Sequence, residues 1–186
     1  ASLSSRASYF FTATPKHTRR TNRGMNNGEI YGSVLENVPA PELVAGGSIL
    51  PPTVVPYEVD IMREKGAEAC TADRKMILSI VDSLPEDKSS KILVVSPASK
   101  IMGAMLFKTT VMEDLRERGY DVMHITSKYG AYVNDQKVNR EQFFNIFDQY
   151  GKDPNKKFII FHYSILSEGI NVHGLTHTIM LRNLDI

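Results

Sequence analysis

Three short polar segments of this chain combine small hydroxyl residues with a preceding apolar run: Ser96-Pro97-Ala98-Ser99, Thr126-Ser127-Lys128, and residues 164–171, which hold Ser164, Ser167, Glu168, Gly169 and Asn171. Hydroxyls and exposed backbone amides approach a phosphate closely and donate hydrogen bonds to it, so a row of such segments makes a track for a sugar-phosphate chain. Ser and Thr after strands also serve as helix caps and turn formers, and each segment taken alone is open to that reading. A fourth polar segment, Thr12-Ala13-Thr14-Pro15-Lys16, follows Tyr9-Phe10-Phe11 and leads into closely spaced Lys16, Arg19, Arg20 and Arg23. Those cations read either as phosphate contacts or as a solvated loop.

Other constellations point less clearly to chemistry. His162, His173 and His177 are near one another in sequence, but Gly174 disfavours a helix that would bring the last two together, and no carboxylate completes a ligand set. No metal site is expected. Phe143, Phe144 and Phe147 sit at helical spacing and are expected in the core rather than as base-stacking groups.

The elements that must position these segments follow from hydrophobic periodicity. Tyr9-Phe10-Phe11-Thr12 reads as a buried strand ended by Pro15. A strand so close to the first residue, with no earlier element to pair with, suggests a chain that begins inside a larger protein. Residues 24–52 mix Gly, Asn and Pro and read as a connector, with a short helix beginning near Ala40-Pro41. Residues 53–61 are rich in β-branched side chains and read as a strand that opens a second domain, Pro56 marking an edge or bulge. Helices are expected over 71–84, 99–118 (ended by Gly119) and 140–150 (ended by Gly151), and strands over 91–96, 121–126, 157–163 and 178–184. Strands separated by helices imply an α/β fold, a parallel sheet with helices on both faces. In such sheets ligands sit at the carboxyl ends of the strands, where the three hydroxyl segments fall.

The totals bound this picture. A chain of 186 residues, 42% hydrophobic and 23% charged, buries one ordinary core and carries a short appendage. Its 22 Lys and Arg against 21 Asp and Glu leave no bulk positive charge, so any nucleic-acid surface must be local. Cys70 is the single cysteine, which excludes an internal disulfide and a cysteine-based zinc cluster and fits a reducing compartment. The longest apolar runs, 92–95 and 158–161, are strand-sized and far short of the roughly 20 residues that cross a bilayer. The first residues lack an apolar signal core. The expectation is a chain without membrane partners, cytoplasmic or otherwise intracellular.

Taken in order, the segments resemble the motifs of superfamily 2 DNA and RNA helicases of the DEAD/DEAH-like kind. Thr12-Ala13-Thr14-Pro15 resembles motif III, Ser96-Pro97-Ala98-Ser99 is similar to motif IV, and Ser167-Glu168-Gly169-Ile170-Asn171-Val172 resembles motif V, where the family usually has aspartate at the position of Asn171. The resemblance implies a RecA-like α/β fold: residues 1–52 would be the short tail of a first RecA-like domain and a connector, and 53–186 a second, truncated before motif VI. It implies that Thr12, Ala13, Thr14 and Pro15 couple the nucleotide site to the track, and that Ser96, Pro97, Ser99, Ser127 and Ser167 contact a DNA or RNA backbone. Gly169 and Asn171 would lie near the ATP ribose, Asn171 without the charge that makes a carboxylate the stronger acceptor.

The resemblance also implies what the chain lacks. No phosphate loop of the form G-x-x-x-x-G-K-[ST] occurs, nor an Asp-Glu-x-His pair. ATP and Mg2+ would act in the intact parent, with the missing first RecA-like domain in cis, and none is expected to bind tightly to this fragment, which alone is expected to be inactive as an ATPase. An alternative is a non-catalytic RecA-like module that binds nucleic acid or protein; coding sequence before Ala1 that held a phosphate loop would favour the motor. A stand-alone nucleotide enzyme such as a transferase would need a glycine-rich loop after the first strand of the sheet, which Ser96-Pro97-Ala98-Ser99 does not supply.

Overall fold

Lys91–Val95 (β1), Asp121–Thr126 (β2) and Phe158–His162 (β5) are short runs of β-branched and long apolar side chains, almost every one buried. Burial on both faces suits the interior of a parallel sheet. The computed structural model describes residues 7–12, 15–20, 23–56, 67–86, 89–164, 166 and 173–181, with side chains from Cys70 onward in the helix that starts at Ala67. The chain divides into two units, Ala1–Pro56 and Tyr57–Ile186.

In the second unit, helix α3 (Ala67–Ser83) precedes β1; α4 (Ser99–Lys108) and α5 (Val111–Glu117) lead to β2. An antiparallel pair, β3 (Gly130–Val133) and β4 (Gln136–Val138), is followed by α6 (Arg140–Lys152), β5 and β6 (His177–Met180). The sheet order is β4-β3-β2-β5-β1-β6. β2, β5, β1 and β6 run parallel, while β3 pairs antiparallel with both β2 and β4.

Side chains alternate across a strand, and the core divides accordingly. Ile92, Val94, Val122, Ile159, Phe161 and Ile179 pack with Ile77 and Val81 of α3, Met102 and Met105 of α4 and Leu115 of α5. The intervening residues Leu93, Met123, Ile125, Phe158 and Ile160 pack with Phe143 and Phe147 of α6. Helices therefore cover both faces. α6 starts at a capping box: the Asn139 side chain accepts from Gln142 N (2.8 Å), and Asn139 N donates to Gln142 Oε1 (3.2 Å). Bidentate Asp82–Arg118 and Arg74–Asp114 pairs tie α3 to α5 and its C-terminal residue.

Several expectations are corrected. The sheet is mixed rather than wholly parallel, because Asn134 and Asp135 form a two-residue turn, too short for a parallel crossover and suited to a hairpin. The single helix expected over 99–118 is two: Thr109 is extended (φ −128°), its hydroxyl donates to Met105 O (2.5 Å) and accepts from Val111 N (3.3 Å), so the side chain takes up backbone groups around the break. Gly151 does not end α6. It lies buried within the last turn, where a Cβ would stand 2.6 Å from the His173 carbonyl oxygen, so glycine is required for close approach rather than for a cap.

In the first unit, helices α1 (Gly28–Tyr31) and α2 (Ala40–Ala45) are short. The expected strand at residues 9–12 is not formed, and Tyr9, Phe10 and Phe11 are exposed; Phe10 meets Tyr31 edge-on at 4.8 Å. Residues 53–56, expected to begin a strand, are likewise irregular and exposed, and 57–61 lie outside the described residues. No hydrophobic side chain is buried among the described residues of the first unit, so neither segment has an apolar core to pack on within it.

Candidate nucleic-acid interface

Four parallel strands place their carboxyl ends along one edge of the sheet. The register sets them level, since Val95 and Ile125 both stand opposite His162, and Val95 stands opposite Met180. The next residues of the chain, Ser96, Thr126, Tyr163 and Leu181, therefore form one row. Ser96 N donates to His162 O (2.9 Å) and Leu181 N to Val95 O (3.0 Å), which extends the ladder to this rim.

Ser96 is fully buried, and its hydroxyl has no hydrogen-bond partner among the described residues. An unsatisfied buried hydroxyl costs on the order of 1–3 kcal/mol, so its retention calls for a reason. Beside it in sequence, α4 begins without a side-chain cap. Ala98 is the N-cap, and the first helical bond is Met102 N to Ala98 O (3.0 Å), so the amides of Ser99, Lys100 and Ile101 have no intrahelical partner. The cap reading of Ser96 and Ser99 thus fails: neither hydroxyl caps this helix.

Thr126 behaves differently, its hydroxyl accepting from Tyr129 N (2.9 Å) and closing the turn after β2. That turn exposes Ser127 and Lys128 at the same rim, and Lys128 Nζ lies 5.2 Å from the Tyr129 ring centroid. Tyr163 and Ser164 are exposed after β5.

The structure thus brings Ser96, Pro97, Ser99 and Ser127 to one edge. Ser167, Gly169 and Asn171 lie outside the described residues, as do Ala13 and Thr14. Thr12 and Pro15 are exposed in the first unit. Phe143 and Phe147 are core residues, as expected, while Phe144 is half-buried and packs against that cluster. Among the described residues no cluster of His, Cys, Asp and Glu is fit to hold a metal ion, and no helix is long and apolar enough to cross a membrane.

Sequence reasoning missed an aromatic group next to this rim. His124 on β2 is fully buried, stacked on Tyr132 of β3 (4.7 Å, 19°), and met edge-on by Phe107 of α4 (5.5 Å). Burial holds its pKa down at about 4, so the ring is neutral near pH 7. Tyr129 lies over Gly103, where a Cβ would fall 2.5 Å from its ring, and packs edge-on against Phe107 (5.5 Å). The turn-forming pair Asn134-Asp135 directly after Ala131-Tyr132-Val133 was the available signal for the hairpin that supplies Tyr132. No family model matches the chain, and neither a curated protein nor a solved structure with significant similarity to it was found.

Proposed function

We propose that this chain supplies the second RecA-like motor domain of a superfamily 2 helicase or translocase, and that the row at the strand carboxyl ends contacts a nucleic-acid backbone. The observation that carries this reading is the N-terminus of α4: its first turn is uncapped, with Ser99 and exposed Lys100 at the rim, in the segment that resembles motif IV. Open amides there suit a phosphate oxygen, which accepts several hydrogen bonds and is favoured by the positive end of the helix. Ser127 and Lys128 extend the row across β2, and the mostly parallel sheet with helices on both faces is consistent with a RecA-like domain.

ATP and Mg2+ belong to the intact parent in this reading. The chain holds neither a phosphate loop nor an acidic Walker pair, and its nucleotide-side candidates, Gly169 and Asn171, lie outside the described residues. What it contributes is one wall of the cleft and part of the track.

Fluorescence anisotropy with a labelled single-stranded oligonucleotide tests the proposal. Affinity should fall with rising salt along a log–log line whose slope is about −0.7 per phosphate neutralised. Ser99→Ala should weaken binding about tenfold while leaving the unfolding midpoint nearly unchanged, since that hydroxyl does not cap the helix. Absence of binding, or binding indifferent to salt and to Ser99, would remove the basis for the proposal.

A further inference from the structure

Three elements beside the strand-end row share one charge sign. α4, residues 127–133 and β4 carry Lys100, Lys108, Lys128 and Lys137, and the carboxylate of the turn between β3 and β4, Asp135, is paired with Arg116, in a chain whose formal net charge is only +1. Lys100, Gly103 and Phe107 fall on one side of α4 by helical spacing, and that side faces the β2–β3 turn, because the Tyr129 ring lies on Gly103 and meets Phe107.

Phe107 is 53% exposed although both Tyr129 and His124 pack against it edge-on. From Cys70 onward, the exposed large hydrophobics among the described residues are Phe107, Tyr163 and Met180. Tyr163 and Met180 stand at the carboxyl ends of β5 and β6, on the rim itself. Among the described residues, these exposed large apolar side chains thus lie at the rim and on the face of α4 that descends from it. Ser99 and Phe107 are eight residues apart, about 12 Å along the helix axis, within reach of neighbouring nucleotides on one strand.

We infer that Phe107 and Tyr129 form a stacking platform for the bases of an unpaired nucleic-acid strand whose phosphates run along the strand-end row, with Lys100 and Lys128 beside it. The inference rests on the backbone-track reading and adds to it a contact with bases. Aromatic faces stack any base, and lysines that outnumber unpaired carboxylates on these elements favour a polyanion over a neutral apolar partner. Edge contacts from His124 and Tyr129 hold Phe107 in place, so little side-chain freedom is lost on stacking.

The test compares a labelled 15-nucleotide thymidine oligomer with an abasic oligomer of equal length, using the full chain and Phe107→Ala, with thermal unfolding to confirm that the exposed substitution leaves the fold intact. The wild-type chain should bind the thymidine oligomer at least about fivefold more tightly than the abasic one. Phe107→Ala should abolish that preference while keeping abasic affinity, and Phe107→Trp should preserve it. Equal affinity of the wild type for both oligomers, or a preference that survives Phe107→Ala, overturns the platform and leaves the track standing. Binding of neither oligomer overturns both. Self-association lost in Phe107→Ala, with no base preference in the wild type, overturns the platform in favour of a protein contact.

Discussion

The imidazole of His124 lies stacked on the ring of Tyr132, with centroids 4.7 Å apart and planes 19° apart, across the β2–β3 pairing that sets the two residues opposite each other. The turn at Asn134-Asp135 fixes that register, and Asn134 supports it from both sides: its amide donates to Asp121 Oδ1 (2.9 Å) and its carbonyl oxygen accepts from Val122 N (2.9 Å). A hairpin that was not foreseen thus positions the buried ring beneath the candidate platform.

Acid should therefore loosen this part of the fold. The folded pKa of His124 is lowered to about 4 from 6.5, so the unfolded chain binds the proton more readily. The contribution of neutral His124 is fully present above pH 6.5 and is lost as pH falls toward 4, amounting to ~3 kcal/mol over that window. Urea unfolding at pH 7.5 and pH 4.5 should show this loss, and His124→Phe should reduce it. A pH dependence identical in the variant would show that the ring is not its source.

Gly151→Ala sets two effects against each other. Helix propensity favours alanine over glycine by about 1 kcal/mol. The new methyl would meet the His173 carbonyl at 2.6 Å, and Gly174 already approaches the Gly151 carbonyl from the other side. Displacing packed backbone typically costs about 1–3 kcal/mol, so net destabilisation of up to about 2 kcal/mol is expected. A raised melting temperature would mean that the 173–174 turn yields freely.

Lys91 is buried at the amino end of β1, and its ammonium donates to Gly151 O (2.6 Å) and Asp153 O (2.8 Å). It holds the C-terminal end of α6 by satisfying carbonyls that the helix leaves open and by placing a cation at the negative end of the dipole. Lys91→Met keeps the stem and strands the Gly151 carbonyl, while Asp153 O retains its bond from Lys156 N (3.3 Å). A loss of about 1–3 kcal/mol in denaturant unfolding is expected, whereas an unchanged midpoint would show that water replaces the ammonium.

Much of the fold was legible because strands 91–95, 121–126 and 158–162 are dense in β-branched and apolar residues, and α3 and α6 repeat apolar residues at helical spacing. The misses have physical causes. β4 is three residues long with exposed Gln136 and Lys137, too short and polar to register as a strand. Thr109 breaks a helix through its own hydroxyl, which periodicity does not see. Residues 9–12 carry strand-like side chains but pair with no strand among the described residues, and β-propensity without pairing forms no sheet. At the rim, sequence pointed to Ser96 and Ser127 by type and position, while Phe107, Gly103 and Tyr129 meet only through tertiary packing.

Hydrolysis is expected to be absent from this chain by itself. The sequence holds neither a phosphate-loop lysine nor an acidic Walker pair, the groups that hold and polarise a γ-phosphate in such motors. Phosphate release from ATP and Mg2+ should match the buffer control. Metal-dependent turnover above it would place the catalytic groups where the motifs do not.

Hydrogen exchange of the full chain, with and without a saturating single-stranded oligonucleotide, tests the central claim most directly. Exchange should slow at residues 96–102, 126–129 and 163–164, the carboxyl-end row and the first turn of α4. The opposite edge of the sheet, at residues 89–91 and 153–157, should be unaffected. Protection confined to that opposite edge, or none under conditions where the oligonucleotide is bound, would contradict the account.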